Sequence, residues 1–189
     1  MIQEFLETIC ILDGQAQHLP WHQARVDNTF RVCMRDKIPF TIERVLGGHA
    51  IPDTGKIKCT IRYGLEAISL SWVLYRSKPV ATLKLIEIPE GYEYRFKYAD
   101  RKVSGELFSQ RGDADDILMT RGGWITDTSI ANIAFRKTDR WYTPAQPLLA
   151  GTTWKRLITE GKLSPRPIHQ SEFDSFDEFR VFNAMNAEF

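Results

Sequence analysis

The chain has 189 residues, a length that corresponds to one domain or to two small lobes. Hydrophobic residues make up 43% and charged residues 26%, an ordinary globular composition that excludes a disordered or fibrous chain. With 25 Lys and Arg against 24 Asp and Glu, the net charge is +1, so no overall field attracts nucleic acid or an anionic membrane.

The sequence also restricts the compartment. No apolar run approaches the ~20 residues that span a bilayer, and Met1–Glu4 lacks the basic segment of a secretory signal. Cys10, Cys33 and Cys59 have no CxxC spacing, which is typical of reduced, buried thiols. We therefore expect a soluble cytoplasmic protein that binds neither nucleic acid nor membrane.

The first half of the chain is rich in strand signals. Residues 2–12 predict a strand, and Asp13-Gly14 predicts a hairpin turn into a second short strand. A face of apolar residues at helical spacing then predicts a helix from Pro20 to about Asp36. The other predicted elements here are a short helix over residues 41–47 and strands at Lys56–Tyr63, Ile68–Tyr75 and Val80–Ile88.

Pro89-Glu90-Gly91 interrupts the strand pattern and predicts a boundary between lobes at 1–90 and 91–189. The resulting class is α+β, with a strand-rich N-terminal lobe and a mixed C-terminal lobe. The predicted elements after the boundary are a helix near Asp100–Arg111, a hairpin turn at Gly122-Gly123 between Ile117–Thr120 and Trp124–Ile125, a strand at Ala131–Lys137, a helix near Trp154–Thr159 and a final strand at Arg180–Asn183.

Common catalytic and metal-binding motifs are absent from the sequence. There is no GxGxxG, no phosphate-binding GxxxxGK[ST] and no nucleophile elbow for a Ser-His-Asp site. His18 and His22 are four apart, but Pro20 lies between them and no nearby Glu supports a zinc site. We expect these histidines at the surface or in a capping role, and we predict no metal site.

A resemblance to a known family provides the functional signal that these common motifs do not. Residues 115–144, DDILMTRGGWITDTSIANIAFRKTDRWYTP, resemble the signature of class IV aminotransferases, the fold-type IV pyridoxal-phosphate enzymes. That signature has a D-x-x-L strand, a hairpin, a [VI]-[ST]-E-x-x-x-x-N-[LI]-F segment and a T-P pair. Leu148–Thr153 is similar to the L-L-x-G-I-T-R that follows, and Phe5–Ile9 and His22–Arg25 are similar to the family's F-x-T strand and H-x-x-R helix.

The motifs stand in the family's order along nearly the whole chain, and they are closest to the aminodeoxychorismate lyase branch. The resemblance implies a two-lobed fold with pyridoxal 5′-phosphate between the lobes, and a homodimer. The segments closest to the lyase branch are Trp124–Thr126, Ala131–Ile133, Tyr142–Pro144 and Phe182–Met185.

Lys97 matches the lysine that forms the Schiff base with the cofactor in this family. Such an amine has to be close to neutral near pH 7, which requires desolvation or a nearby cation to lower its pKa. The alternative for any single lysine is a solvated surface charge. The position of Lys97 at the lobe boundary, before the later motifs, favours the catalytic role.

Asp127 matches the family's acidic residue opposite the pyridine nitrogen of the cofactor. A carboxylate there keeps that nitrogen protonated, so that the ring can accept electrons. The family usually has Glu, and the shorter Asp requires a shift of about 1 Å or a bridging water. The alternative is a turn or helix-capping aspartate before Thr128-Ser129.

The resemblance implies a phosphate site built from residues far apart in the sequence. Gly151, Thr152 and Thr153 enter a helix, where backbone N–H groups and hydroxyls suit an anion. Arg25 matches the arginine that reaches the same phosphate. The alternatives are a simple capped helix start and an ordinary surface charge on a helix.

Thr8 favours the lyase branch, since branched-chain aminotransferases tend to carry glycine at the matching strand position. We therefore expect a 4-amino-4-deoxychorismate lyase, with Lys97 and Thr8 as its catalytic residues. The alternatives are a class IV aminotransferase for D-amino or branched-chain acids and a non-catalytic protein that keeps the fold. Relative to the family pattern the chain is shortened at both termini, without the leading G-D-G segment and the late Gly-Thr turn.

Overall fold

The computed structural model describes residues 3–34, 37 and 39–187 and divides the chain into two compact units. The first unit runs to Ser77 and takes in Phe96–Asp100. The second unit comprises Lys78–Arg95 and the chain from Arg101 onward. Each unit combines strands with helices, so the predicted α+β class is confirmed.

The division between the units differs from the predicted boundary at residue 90. The strand at Leu83–Glu87 pairs in parallel with Asp116–Arg121, a strand of the second unit. Because this pairing ties the segment before Pro89 to the second unit, the chain leaves the first unit near Ser77.

The first unit is an antiparallel four-stranded sheet in the order β2-β1-β3-β4, packed with helices. Its predicted strands and helices are confirmed. Residue 2 and Asp36, the predicted ends of the first strand and of the first helix, lie outside the described residues. The elements are β1 (Phe5–Leu12), β2 (Gln15–Ala16), α1 (Leu19–Cys33), α2 (Ile42–Gly47), β3 (Lys56–Tyr63) and β4 (Ile68–Leu74).

The predicted Asp-Gly turn joins β1 to β2. Asp13 has φ 46° and Gly14 has φ 77°, so both turn residues are in the left-handed region. A two-residue hairpin with this geometry matches the natural twist of its strands, and glycine and aspartate adopt it most readily.

The core of the first unit lies between α1 and one face of the sheet. Every second residue of β1 and β3 points to this face, as the alternation of a strand requires. None of the helices in the described ranges has the length and apolar character needed to cross a bilayer. The buried hydrophobic residues of this core are Phe5, Ile9, Ile11, Val26, Phe30, Met34, Ile42, Ile57, Cys59, Ile61 and Tyr63.

The segment Phe96–Asp100 extends this sheet along the edge of β1. The Leu6 N–H donates to the Lys97 carbonyl at 2.8 Å, and the Ala99 N–H donates to the Glu4 carbonyl at 2.9 Å. The sequence predicts this segment as part of the second lobe, whereas these hydrogen bonds attach it to β1 in the first unit.

The second unit contains two sheets, in the orders β5-β6-β7 and β10-β9-β8-β11. The sequence does not predict β9, β10 or the 3₁₀ helix, whereas the other elements are confirmed. The elements are β5 (Leu83–Glu87), α3 (Lys102–Ser109), β6 (Asp116–Arg121), β7 (Trp124–Thr128), β8 (Asn132–Lys137), β9 (Arg140–Pro144), α4 (Thr152–Thr159), β10 (Ser164–Arg166), the 3₁₀ helix (Gln170–Ser175) and β11 (Glu178–Phe182).

Replacing Ile61 with alanine should lower the free energy of unfolding by about 2–5 kcal/mol, because it opens a cavity in the core of the first unit. Ile68→Ala is the matched control on the neighbouring strand, where the side chain is 44% exposed. The control should cost no more than about 1 kcal/mol. Urea titrations of the two variants measure the difference, and equal losses would contradict the assigned core.

Candidate active site

The residues that the family resemblance singles out occur in both units, and each group is described within its own unit. The first unit holds Thr8, Arg25 and Lys97, and the second unit holds Asp127, Gly151, Thr152 and Thr153.

Lys97 lies at the edge of β1, opposite Leu6. Its neighbours Phe96 and Tyr98 both place their rings against Phe5, with centroid distances of 6.3 Å and 5.4 Å. Because side chains alternate along an extended segment, Lys97 lies on the other face of the sheet, away from α1. Lys97 is half-buried there.

Thr8 lies on the same face of the sheet as Lys97. It is half-buried and opposes Thr60 of β3, which in turn opposes Ser71 of β4. Three hydroxyl-bearing side chains therefore form a row across the sheet on the face that carries Lys97.

Arg25 lies on the opposite face, where it binds a buried carboxylate on β1. Its Nε and Nη2 atoms donate to Glu7 Oε1 and Oε2 at 2.7 Å and 2.6 Å. His22, one turn earlier on α1, brings Nδ1 to 2.6 Å from the same carboxylate. The H-x-x-R spacing thus places both side chains on one helix face, against Glu7.

Glu7 is fully buried and remains ionised. Burial alone would raise its pKa, but the positive charge of Arg25 and the hydrogen bonds from His22 and Arg25 outweigh that effect and lower the pKa to about 2. The prediction that His22 lies at the surface or caps a helix is wrong, because its ring is 1% exposed and binds this carboxylate.

Asp127 lies on β7 in the second unit and is 5% exposed. Its Oδ1 accepts a hydrogen bond from Asn132 Nδ2 at 2.7 Å, and its Oδ2 accepts one from the Leu149 N–H at 2.9 Å. Both donors are neutral. The carboxylate is thus held in a fixed orientation by hydrogen bonds without a compensating charge from these groups.

Burial raises the pKa of Asp127 to about 7, although the hydrogen bonds from Leu149 and Asn132 act in the opposite direction. A buried carboxyl group of this kind favours a cationic hydrogen-bond donor as its partner, because such a donor restores the charged form. Strongly perturbed buried carboxyl groups are frequent at functional sites.

Asn132 connects Asp127 to the segment that leads into α4. Besides Asp127, its Nδ2 donates to the Leu149 carbonyl at 2.9 Å. Its Oδ1 faces Gly151, where a Cβ atom would overlap it. Gly151 is therefore packed against the amide that holds Asp127.

Helix α4 begins with two buried threonines. Thr152 and Thr153 are 5% and 4% exposed, and the first helical bond runs from the Lys155 N–H to the Gly151 carbonyl. The first turn thus offers backbone N–H groups and hydroxyls to an anion.

Sequence reasoning missed two residues of these clusters, Glu7 and Asn132. Glu7 occupies an inward position of β1 between Phe5 and Ile9, and a charged residue in such a position signals a buried pair. Asn132 stands five residues after Asp127, at the spacing of the family's E-x-x-x-x-N segment. That spacing was the available signal for Asn132.

Comparison with known proteins identifies the family. The model of the class IV aminotransferase family matches residues 67–187. The chain belongs to this family.

Three relatives extend the comparison. An uncharacterized protein of Haemophilus influenzae is 36% identical over 183 residues, which cover 95% of this chain and 96% of the relative. A crystal structure from Haemophilus somnus, described as a candidate 4-amino-4-deoxychorismate lyase, is 31% identical with a TM-score of 0.90 and covers 98% of both chains. A Brucella abortus aminotransferase bound to pyridoxal phosphate is 14% identical with a TM-score of 0.74, over 97% of this chain and 78% of that one, which shows a shared fold.

Glu7→Gln should lower the free energy of unfolding by about 3–5 kcal/mol, because it leaves the mostly buried charge of Arg25 without its counter-ion. Glu4→Gln is the matched control, since Glu4 forms an exposed ion pair with Arg62 at 2.8 Å. The control should cost less than about 1 kcal/mol. Denaturant unfolding at pH 7 measures both, and a cost for Glu7→Gln as small as that of Glu4→Gln would contradict the assigned pair.

The cofactor-free protein should lose stability as the pH rises from about 4 to about 7. The pKa of Asp127 is raised from 3.8 to about 7, so the folded state binds more protons than the unfolded state over this window. Asp127→Asn should remove this fall in the free energy of unfolding. Asp116→Asn, at an equally buried position on β6, should keep it, and a fall that survives Asp127→Asn would rule out Asp127 as its source.

Proposed function

We propose that the protein is a pyridoxal-phosphate-dependent lyase that converts 4-amino-4-deoxychorismate to 4-aminobenzoate and pyruvate, a step in folate synthesis. The family membership and the 31% identity to the Haemophilus somnus protein along 98% of both chains support this proposal. The observation that carries the choice of cofactor is the burial of Asp127 among neutral donors, which suits the protonated pyridine nitrogen of pyridoxal phosphate.

The polar groups of each unit, taken separately, suit different parts of pyridoxal phosphate. Asp127 is an acceptor for the pyridine N–H, and Lys97 supplies an amine for the aldehyde. Thr152, Thr153 and the N–H groups of α4 suit the phosphate within the second unit. The resemblance assigns the same anion to Arg25, whose guanidinium is bound to Glu7 in the first unit. When bound, the cofactor supplies an electron sink for the pair left when a bond to the substrate carbon breaks.

In the proposed reaction, the amine of Lys97 takes the ring proton next to the substrate nitrogen. The bond from the ring to the enolpyruvyl oxygen then breaks, so that the ring becomes aromatic. Thr8, on the same sheet face as Lys97, relays a proton to the leaving group, which is released as pyruvate. Asp127 keeps the pyridine nitrogen protonated during these steps.

An aminotransferase for D-amino or branched-chain acids is the second candidate, because the family model that matches the chain is that of the class IV aminotransferases. It would use Lys97 and Asp127 in the same way but would require a 2-oxo acid as amino-group acceptor. On the same family resemblance we propose a homodimer located in the cytoplasm.

The purified protein should shift the visible absorption of added pyridoxal phosphate. Borohydride reduction should then attach the cofactor to the peptide that contains Lys97, as mass spectrometry of a digest can show. Lys97→Ala should abolish both signals, because it removes the amine. Lys102→Ala, at an exposed lysine five residues further along, should leave both unchanged.

The reaction itself is tested with 4-amino-4-deoxychorismate in the absence of any 2-oxo acid. Release of 4-aminobenzoate and pyruvate in equal amounts is the expected result. Turnover only after a 2-oxo acid is added would replace the lyase by an aminotransferase. No shift in absorption and no adduct would indicate a protein that keeps the fold without the cofactor chemistry.

A further inference from the structure

We propose that Asn132 is the positioning residue for Asp127, and that Gly151 is a glycine because Asn132 occupies the space of its side chain. The inference rests on the proposed function in one respect, namely that Asp127 faces the cofactor ring. It assigns Gly151 a role in holding the acid, besides the phosphate contact that the family resemblance implies for it.

The orientation of the Asn132 amide is fixed by its two acceptors. Nδ2 donates to Asp127 Oδ1 at 2.7 Å and to the Leu149 carbonyl at 2.9 Å. A flipped amide would place an oxygen against both acceptor oxygens, which is unfavourable. The side-chain oxygen of Asn132 is therefore directed at Gly151.

Asp127, Asn132 and Leu149 form a closed ring of hydrogen bonds. The Leu149 N–H donates to Asp127 Oδ2 at 2.9 Å, while its carbonyl accepts from Asn132. Each carboxylate oxygen therefore has its own donor, which fixes the plane of the carboxylate. β7, β8 and the segment before α4 each contribute one member of the ring.

Gly151 is required here for space rather than for backbone conformation. Its φ of −61° and ψ of 157° are extended values that any residue adopts. A Cβ atom at this position would overlap Asn132 Oδ1. Because both donor bonds of Asn132 would have to shift to make room, a side chain at residue 151 would act on Asp127 through Asn132.

Asn132 also favours the charged form of Asp127. Its hydrogen bond lowers the pKa of a carboxyl group that burial raises to about 7. Without this donor the pKa would rise further, which disfavours the charged form of the carboxylate. A protonated acid cannot form the ion pair that keeps a pyridine nitrogen protonated.

In the family that the chain resembles, the position of residue 127 is usually glutamate, and the aspartate found here has one side-chain torsion fewer. Fixing the shorter side chain costs less conformational entropy, so the same two donors restrict the carboxylate of Asp127 more completely. Correct placement of the shorter acid thus depends on Asn132 and Leu149.

A double-mutant cycle tests the proposal with Asn132→Ala, Gly151→Ala and the combined variant. Asn183→Ala is the matched control, because it removes an asparagine of the same unit whose Oδ1 accepts from the Met185 N–H at 2.8 Å. Two quantities are measured for each protein. They are the pH dependence of urea unfolding without cofactor and the dissociation constant of pyridoxal phosphate at pH 7.5.

Each single variant should extend the fall in stability to higher pH, because only the folded-state pKa of Asp127 rises. It should also weaken cofactor binding about tenfold, as loss of a hydrogen bond to a charged group predicts. The combined variant should bind within about twofold of Asn132→Ala, because the atom that residue 151 would strike is already gone. Asn183→Ala should leave the pH profile and the dissociation constant unchanged. If Asn132→Ala does not fold, Asn132→Ser takes its place in the cycle.

Equal losses of affinity from Gly151→Ala in both backgrounds would overturn the proposal and leave Gly151 acting through its own backbone. An unchanged pH profile in Asn132→Ala would also overturn it. If the wild-type protein does not bind pyridoxal phosphate, the proposed function fails. The measurements on the cofactor-free protein then decide the relation between Asn132 and Asp127 by themselves.

Discussion

Two carboxylates removed from water have to be compensated by their surroundings, and the two units do this in opposite ways. Glu7 is held by Arg25 and His22, and its pKa falls to about 2. Asp127 is held by neutral donors, and its pKa rises to about 7. Burial is similar for both groups, so the charge of the partners decides the difference. Glu7 has its counter-ion, Arg25, inside its own unit, whereas Asp127 is suited to a cationic group of a bound molecule.

This difference fits the roles that the family resemblance implies. A residue that orients an arginine has to stay charged at every physiological pH, which the low pKa of Glu7 provides. An acid that faces a protonated ring nitrogen has to carry the negative charge itself, and the neutral donors around Asp127 leave its carboxylate without a competing counter-ion. The hydrogen bonds of Asn132, next to Gly151, contribute to this difference, because they set the orientation of the Asp127 carboxylate and favour its charged form.

Strands in which apolar and polar residues alternate regularly, and turns with a strong sequence signal, are predicted well from the sequence. The strand Lys56–Tyr63 and the Asp13-Gly14 hairpin agree with the structure because burial period and turn chemistry are local properties. Strands β9 and β10 were missed because each is short and contains proline, so that pairing with a neighbour defines them. Glu7 and Asn132 were missed for a similar reason, since their importance comes from partners distant in the sequence or across strands.

The chain crosses between the two units three times, after Ser77, after Arg95 and after Asp100. Residues 78–95 separate the main body of the first unit from Phe96–Asp100, which completes the edge of β1. During synthesis, β1 therefore keeps an open edge until about a hundred residues have left the ribosome. A fragment cut after Ser77 would also lack the segment that carries Lys97, so a continuous chain that contains both this sheet and its lysine has to include residues 78–95 of the second unit.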